Sequence, residues 1–176
     1  LLDAHFDAAS KNIGNLSAVV AQIAYDGSGD PLSAITAGLN TIGRKHAPVI
    51  AARHFFNCAI EEGTTGWIED TVMRSRIIPG FGHSHYKDRI DPIFQPCYDV
   101  LSDGSKTIIE AFRKALGEFK GKDLYPNAAM ITAALATELG LPPFMELWFF
   151  IAGRTPFWIE SFTLPPQETQ NQNANA

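Results

Sequence analysis

The stretch Ile78-Pro79-Gly80-Phe81-Gly82-His83-Ser84-His85-Tyr86-Lys87 decides how this chain is interpreted. Two glycines flank one aromatic residue, and glycine lets a backbone approach a ligand closely or adopt a positive φ. A histidine, which titrates near neutral pH, follows at once, and a lysine comes four positions later. The pattern predicts a loop that holds a phosphorylated or carboxylated ligand beside an acid–base group. A plain glycine-rich turn is the alternative interpretation.

On both sides of this loop, apolar residues recur at helical spacing, and no segment alternates for long as a strand does. The fold class is therefore predicted to be all-α. The predicted helices cover 15–25, 32–42, 49–60, 67–76, 93–101, 105–119, 128–139 and 144–152, with one more turn through 162 after a break at Gly153–Pro156. Three residues are expected to cap helix N-termini: Asp30, Asp91 and Asn127. The tail from 165 is expected to be disordered or to lie over a partner.

Composition limits the classes of function. The chain of 176 residues is 45% hydrophobic and 19% charged, which is typical of a globular protein, and its net charge of −5 argues against a nucleic-acid surface. Cys58 and Cys97 stand in no metal or redox spacing and suggest a reducing compartment. Without a bilayer-length apolar run or a signal-like start, the chain is predicted to be cytoplasmic, with no membrane contact. A fragment of a longer protein is a further interpretation, because the chain begins at Leu1.

A second polar segment, Gly43-Arg44-Lys45-His46-Ala47-Pro48, precedes the helix predicted at 49–60. A helix N-terminus carries partial positive charge and unpaired N–H groups, and the basic side chains add to that field. The segment is a candidate anion site, although a solvated turn is an equal alternative.

Four pieces of the chain, in order, resemble the C-terminal part of the citrate synthase superfamily, which includes the citryl-CoA lyases. They are Ala34–Leu39 with His46-Ala47-Pro48, then Pro79–His83 with Lys87 and Asp91-Pro92, then Leu124-Tyr125-Pro126-Asn127, and finally Gly153-Arg154. The resemblance implies a citrate synthase-like, two-lobed helical fold. Residues 1–45 and 128–176 would form the larger lobe and 46–127 the smaller, with the site in the cleft between them.

The resemblance also implies roles for particular residues. In the family, an aspartate removes a proton from the acetyl-CoA methyl group, one histidine stabilises the enol and a second protonates the carbonyl. His46 would take the enol role and His83 the carbonyl role. Gly80, Phe81, Gly82 and Lys87 would line the coenzyme A site, while Arg154 would hold a substrate carboxylate. Since Ile93 stands where the family has an arginine, Arg89 is the candidate to reach the same ligand.

The implied partners are acetyl-CoA or citryl-CoA and a 2-oxo dicarboxylate such as oxaloacetate, with no metal ion. A homodimer is also implied, and the apolar region 144–162 fits an element buried against a partner.

One departure bears on activity: Ala129 stands where the family has its catalytic aspartate. A general base contributes about 10²–10⁴ in rate, so its loss should nearly abolish enolisation. Three hypotheses therefore remain. The first is an enzyme that makes or cleaves the bond of a citryl-type thioester, with cleavage slightly favoured by the run at 37–43. The second is a non-catalytic relative that binds coenzyme A or serves assembly. The third, and weakest, is a metal site of His83, His85 and His46, because no carboxylate or thiol stands at ligand spacing.

Overall fold

The structure, a computed structural model, describes position 8 and residues 16–43, 47–63, 65–83 and 85–163. Its helices are α1 (Leu16–Ser28), α2 (Pro31–Leu39), α3 (Val49–Glu62), α4 (Thr65–Ser75), α5 (Gln95–Asp99), α6 (Asp103–Lys120), α7 (Ala128–Glu138) and α8 (Met145–Thr163). In these ranges extended segments meet only at one isolated bridge, so the all-α prediction is confirmed. The predicted tail and positions 44–46 lie outside the described residues.

Small side chains allow α2 to pack closely on α1. Asp30 caps α2, accepting hydrogen bonds from the N–H groups of Leu32 and Ser33, as the sequence predicts. About two turns further along, a Cβ on Gly38 would lie 2.9 Å from the Ser17 carbonyl oxygen and 2.9 Å from the Trp158 ring. Gly38 is therefore required by the crossing of α1, α2 and α8. Only Ala34 and Gly38 of α2 are buried, so the helix contributes one narrow face to the interior.

The large apolar side chains of α1 face away from this crossing. Leu16, Val19 and Ile23 are 54%, 46% and 65% exposed and form what we call the outer stripe of α1. The buried side of the same helix consists of Ser17, Ala18 and Ala21. The inner contact of α1 is thus made by small residues. Its large apolar residues, which recur at helical spacing, lie on the exposed face instead.

The core is built around α7, which is buried on all sides from Ala129 to Ala136. On one side lies a large cluster that includes Phe56, Ile109 and Phe112, contributed by α3 and α6; we call it the main cluster. On the other lies a smaller cluster of Ala8, Ile90, Phe94, Cys97 and Ile131. A helix that is apolar all round is expected at the centre of a bundle.

Two predicted helix boundaries are wrong. The helix expected at 93–101 is only the short α5, because the chain turns at Asp91, whose Oδ1 accepts the Ile93 N–H at 2.9 Å. The break expected at Gly153–Pro156 does not occur, and α8 continues through Pro156. Phe150, Arg154 and Trp158 are buried along one face of α8, so tertiary packing holds the helix together across the proline.

A buried ion pair fixes the turn into α8 against α3. Arg53 Nη1 lies 2.6 Å from Glu146 Oε2, with the two side chains 9% and 3% exposed. The same guanidinium donates to the carbonyl oxygens of Leu141 (through Nη2) and Pro142 (through Nη1). The pair therefore holds the α7–α8 connection in place.

None of the described helices has the length and apolar character needed to cross a bilayer. The division into two lobes stays a prediction.

Candidate functional site

The Gly-Phe-Gly loop lies directly over the first turn of α7. Phe81 forms an antiparallel bridge with Pro126. The Gly82 N–H donates to the Tyr125 carbonyl at 2.8 Å, and the Asn127 N–H donates to the Gly80 carbonyl at 2.8 Å. The loop and the 124–127 segment, distant in sequence, therefore form one local structure.

Each loop glycine has its own reason. Both have positive φ, +93° at Gly80 and +83° at Gly82. A Cβ on Gly80 would lie 2.7 Å from Met130 Cβ and 2.9 Å from Met130 N, whereas a Cβ on Gly82 would meet only the Leu124 side chain at 3.5 Å. Gly80 is thus required by the approach of the loop to α7, and Gly82 by its backbone conformation.

A cleft of about 420 Å³ opens beside this loop. It is lined by Gly82, His83, Lys87, Asp88, Lys122, Asp123, Leu124 and Tyr125. The lining includes two Lys-Asp pairs, at 87–88 and 122–123. The cleft therefore offers two ammonium groups to an anion and two carboxylates to a hydrogen-bond donor. Of the predicted coenzyme A residues, Gly82 and Lys87 line the cleft. Gly80 is buried and is not one of the lining residues. Phe81 packs beside Phe112, with ring centroids 6.1 Å apart.

Arg113 of α6 contacts Tyr125, one of the residues that line the cleft. Its guanidinium carbon lies 4.3 Å from the centre of the Tyr125 ring, and its Nη2 donates to the Tyr125 hydroxyl at 3.2 Å. Glu110 holds the other end at 2.8 Å. Arg113 Nη2 also lies 3.5 Å from Asp123, which offsets part of the negative charge of the cleft lining.

Backbone hydrogen bonds set the tautomer of His83. Its Nδ1 accepts the N–H groups of His85 at 3.1 Å and Tyr86 at 3.2 Å. A nitrogen that accepts cannot carry the proton, so the neutral ring is protonated at Nε2. Since His83 is one of the residues that line the cleft, its neutral ring brings an N–H donor to this site.

Burial keeps the ring neutral near pH 7. Desolvation lowers the pKa of His83 below 6.5, the nearby charge of Asp91 opposes that shift, and His85 adds to it. His83 Nε2 lies 3.9 Å from Asp91 Oδ2, a separation too long for a hydrogen bond. Asp91 therefore acts on the ring through its charge and leaves the Nε2 proton available.

Arg154 is also buried, and the charge of Asp91 acts on it as well. Its Nη1 donates to Ser17 Oγ at 3.1 Å, and its guanidinium carbon lies 4.0 Å from the centre of the Phe150 ring. Burial lowers the pKa of Arg154 to about 9, and the charge of Asp91 opposes the shift, so the side chain stays charged at pH 7. Within the described part of the chain, Arg154 Nε has no hydrogen-bond partner.

Two other predicted site residues remain, His46 and Arg89. His46 lies outside the described residues. Arg89 is exposed, with its guanidinium carbon 5.7 Å from the centre of the Tyr86 ring. Among the residues that the structure describes, no group of three His, Cys, Asp or Glu side chains could hold a metal ion. The metal hypothesis therefore gains no support from His83 and His85, whose ring centres are 5.8 Å apart.

Ala129 is 2% exposed and packs in the main cluster. Its N–H donates to the capping oxygen Asn127 Oδ1 at 2.9 Å. Neither the residue nor its contacts supply a carboxylate at this position.

Sequence reasoning missed several members of the site. Asp91 was expected as a helix cap and as part of the family motif but not as a site residue, yet its charge acts on both His83 and Arg154. Lys122 and Asp123 were treated as part of a loop, although they form a cleft wall. One available signal was the repeated Lys-Asp pair, at 87–88 beside the first motif and at 122–123 beside the second.

Comparisons with known proteins identify the family and the fold. A family model described as the citrate synthase C-terminal domain matches residues 2–163. Citryl-CoA lyase from Hydrogenobacter thermophilus superimposes with a TM-score of 0.75 at 25% identity, covering 92% of this chain and 68% of that chain. Citrate synthase from Thermotoga maritima MSB8 gives 0.74 at 25% identity, with 92% and 47% covered.

A third neighbour shows the fold alone. It is ATP citrate lyase from Methanothrix soehngenii, solved with citrate and coenzyme A, with a TM-score of 0.72 at 18% identity and coverage of 92% and 30%. A comparison with curated proteins gives no match. This chain thus spans about two thirds of the lyase and less than half of the synthase.

The match over residues 2–163 includes the glycine loop, the Tyr-Pro-Asn segment and Arg154, and the superpositions reproduce the helical architecture. The chain belongs to the citrate synthase family, through its C-terminal domain, and has the citrate synthase-like helical fold.

Proposed function

We propose that this chain binds a coenzyme A thioester in the cleft and acts on the carbon–carbon bond of a citryl-type compound, with cleavage the favoured direction. The observation that carries the proposal is His83, which lines the cleft and whose neutral ring carries its proton on Nε2. Bond formation places negative charge on the carbonyl oxygen under attack, the position assigned to His83. In cleavage the same oxygen carries the charge once its hydroxyl proton has passed to a base such as water, and the enol role stays with His46. A hydrogen-bond donor already in place stabilises such charge.

The cleft suits the nucleotide end of coenzyme A. Lys87 and Lys122 both line it and would pair with phosphate groups, while Gly82 leaves room beside the backbone. The Hydrogenobacter thermophilus neighbour supports this ligand class, since it is a citryl-CoA lyase. Coenzyme A would bind as a co-substrate, with its reacting thioester directed toward His83.

Arg154 would hold a carboxylate of the second substrate, a 2-oxo dicarboxylate such as oxaloacetate. It is buried and charged, and its Nε has no hydrogen-bond partner among the described residues. A buried donor without a partner is available to bind an anion. Arg89 is the less favoured candidate because its side chain is exposed.

A second function, a non-catalytic relative that binds coenzyme A, is favoured by one observation. Ala129 presents a methyl group to an apolar cluster at the family's position for the general base. Without that carboxylate, donors alone would hold a thioester but would not remove its proton.

Two measurements separate these functions. Calorimetry with coenzyme A should show binding that weakens with salt, because the cleft lysines are exposed. Replacing Lys87 and Lys122 by Ala should weaken binding, while replacing Lys114 on the exposed side of α6 should not. Turnover of citryl-CoA to acetyl-CoA and oxaloacetate, followed by the release of oxaloacetate, would establish the enzyme. Binding without turnover would leave the non-catalytic function, and the absence of binding would exclude both.

We also propose that the chain forms a homodimer. The outer stripe of α1 supports this, since three large apolar side chains at helical spacing are exposed together. In α8 the expected partner contact is narrower than the sequence suggests, because Phe150, Trp158 and Phe162 are buried within the chain itself. Replacing Ile23 by Glu should shift the protein to a monomer in sedimentation; unchanged sedimentation of both proteins as monomers would contradict the proposal.

A further inference from the structure

Asn127 binds two different elements with one side chain. Its Oδ1 accepts the Ala129 N–H at 2.9 Å and so caps α7. Its Nδ2 donates to the Gly82 carbonyl at 2.8 Å, and its backbone N–H donates to the Gly80 carbonyl at 2.8 Å. The residue therefore joins the glycine loop to the N-terminus of the central helix.

Packing and hydrogen bonding restrict the loop from opposite directions. Gly80 is in contact with Met130, so the loop cannot move closer to α7. The bonds from Asn127, together with that from the Gly82 N–H to Tyr125, prevent it from moving away. The Gly82 carbonyl is the last backbone group before His83, and its position determines where the imidazole begins.

We propose that Asn127 is a positioning residue for His83. By holding the Gly82 carbonyl through Nδ2, it keeps the imidazole where Nδ1 meets the N–H groups of His85 and Tyr86. The Nε2 proton of this cleft-lining residue is then held in one position. The consequence for ligand binding rests on the proposed function, whereas the consequence for the ring itself does not.

The two roles of the side chain can be separated by substitution. Asp and Ser are good N-caps, so Asn127→Asp and Asn127→Ser keep an oxygen for the Ala129 N–H. Neither can donate to the Gly82 carbonyl from the Nδ2 position, because a carboxylate only accepts and a serine is too short. Asn127→Ala removes both roles, and Asn40→Asp makes the same chemical change at the exposed end of α2.

The primary readout is the pair of ¹⁵N chemical shifts of the His83 ring above its pKa, assigned with His83→Gln. Wild type and Asn40→Asp should show a single tautomer protonated at Nε2. Both Asn127→Asp and Asn127→Ser should show a mixture of tautomers while melting close to wild type, and Asn127→Ala should melt at a lower temperature. Affinity for coenzyme A should fall about tenfold in both capped variants, the effect of one hydrogen bond.

Wild-type ring shifts in either capped variant that folds would overturn the proposal. A change in Asn127→Asp alone, with Ser unchanged, would also overturn it, since charge rather than the lost donor would then be the cause. If Asp does not fold, Ser decides. If wild type binds no coenzyme A but both variants lose the single tautomer, the proposed function fails and the positioning role stands.

Discussion

His83 Nε2 lies 3.9 Å from Oδ2 of Asp91, a carboxylate that is almost fully buried. At this separation charge acts on the ring but no hydrogen bond forms. The same carboxylate raises the pKa of Arg154 against the effect of burial. One side chain therefore acts on both the donor and the cation of the candidate site.

Asp91→Asn should lower the pKa of His83 further. Burial already lowers it below 6.5, and the Asp91 charge is what opposes the shift, so removing that charge leaves burial and His85 unopposed. Asparagine keeps an oxygen for the Ile93 N–H, so the turn at 91 should remain. Titration of the His83 ring by NMR measures the effect, with Asp99→Asn on the exposed end of α5 as control. A pKa that rises or stays constant would show that the carboxylate does not act on this ring.

Ala129→Asp should introduce proton exchange that the wild type lacks. We expect wild type to exchange the acetyl-CoA methyl protons with deuterated water very slowly or not at all, and the variant to do so measurably, because a base is then placed in the family position. The carboxyl would enter an apolar cluster, so stability should fall by about 1–3 kcal/mol.

Ala129→Asn is the matched control for that experiment, since it adds the same volume without a base. Exchange in the control, or brisk exchange by the wild type, would mean that another group removes the proton. A folded, binding Asp variant without exchange would mean that the donors are not aligned.

Gly80→Ala should destabilise the protein more than Gly82→Ala. Both replacements place a Cβ at positive φ, at a cost of roughly 1–2 kcal/mol. Only the first also brings that Cβ to 2.7 Å from Met130 Cβ, and overpacking adds about 1–3 kcal/mol. Urea unfolding followed by circular dichroism gives both values, and equal losses would contradict the packing argument.

Arg53→Met should be strongly destabilising, by about 3–5 kcal/mol, because it leaves the buried Glu146 carboxylate without its partner. The double variant Arg53→Met with Glu146→Leu should recover most of the loss, since no charge then remains buried. Thermal unfolding of the single and double variants gives the coupling. A double variant as unstable as the single one would show that the bonds to the Leu141 and Pro142 carbonyls matter more than the charge.

Features set by neighbouring residues could be predicted from the sequence. Asp30 and Asn127 cap their helices as expected, because a cap is a contact between residues two or three positions apart. The family resemblance further identified the glycine loop and Arg154 as candidates for the site. Residue patterns also identified α6, whose Ile109, Phe112 and Leu116 are buried on one face.

Features set by distant residues could not. The period of α1 indicates a helix, but nothing in it tells that Leu16 and Ile23 face outward while Ser17 is buried, because that depends on Gly38 and Trp158. In the same way, Pro156 predicts a break that packing of α8 overrides. The joint action of Asp91 on His83 and Arg154 depends on three segments meeting in space.

The burial of α7 on every side has a consequence for how the molecule opens. A helix at the edge of a bundle can detach while the rest stays folded, but α7 is shared by the main cluster and by the smaller one. Its amide protons should therefore exchange with solvent only when the whole described bundle unfolds, whereas those of α1 should exchange through local fluctuations. Because the glycine loop is bonded to the first turn of α7, it should share that slow exchange, which is unusual for a surface loop.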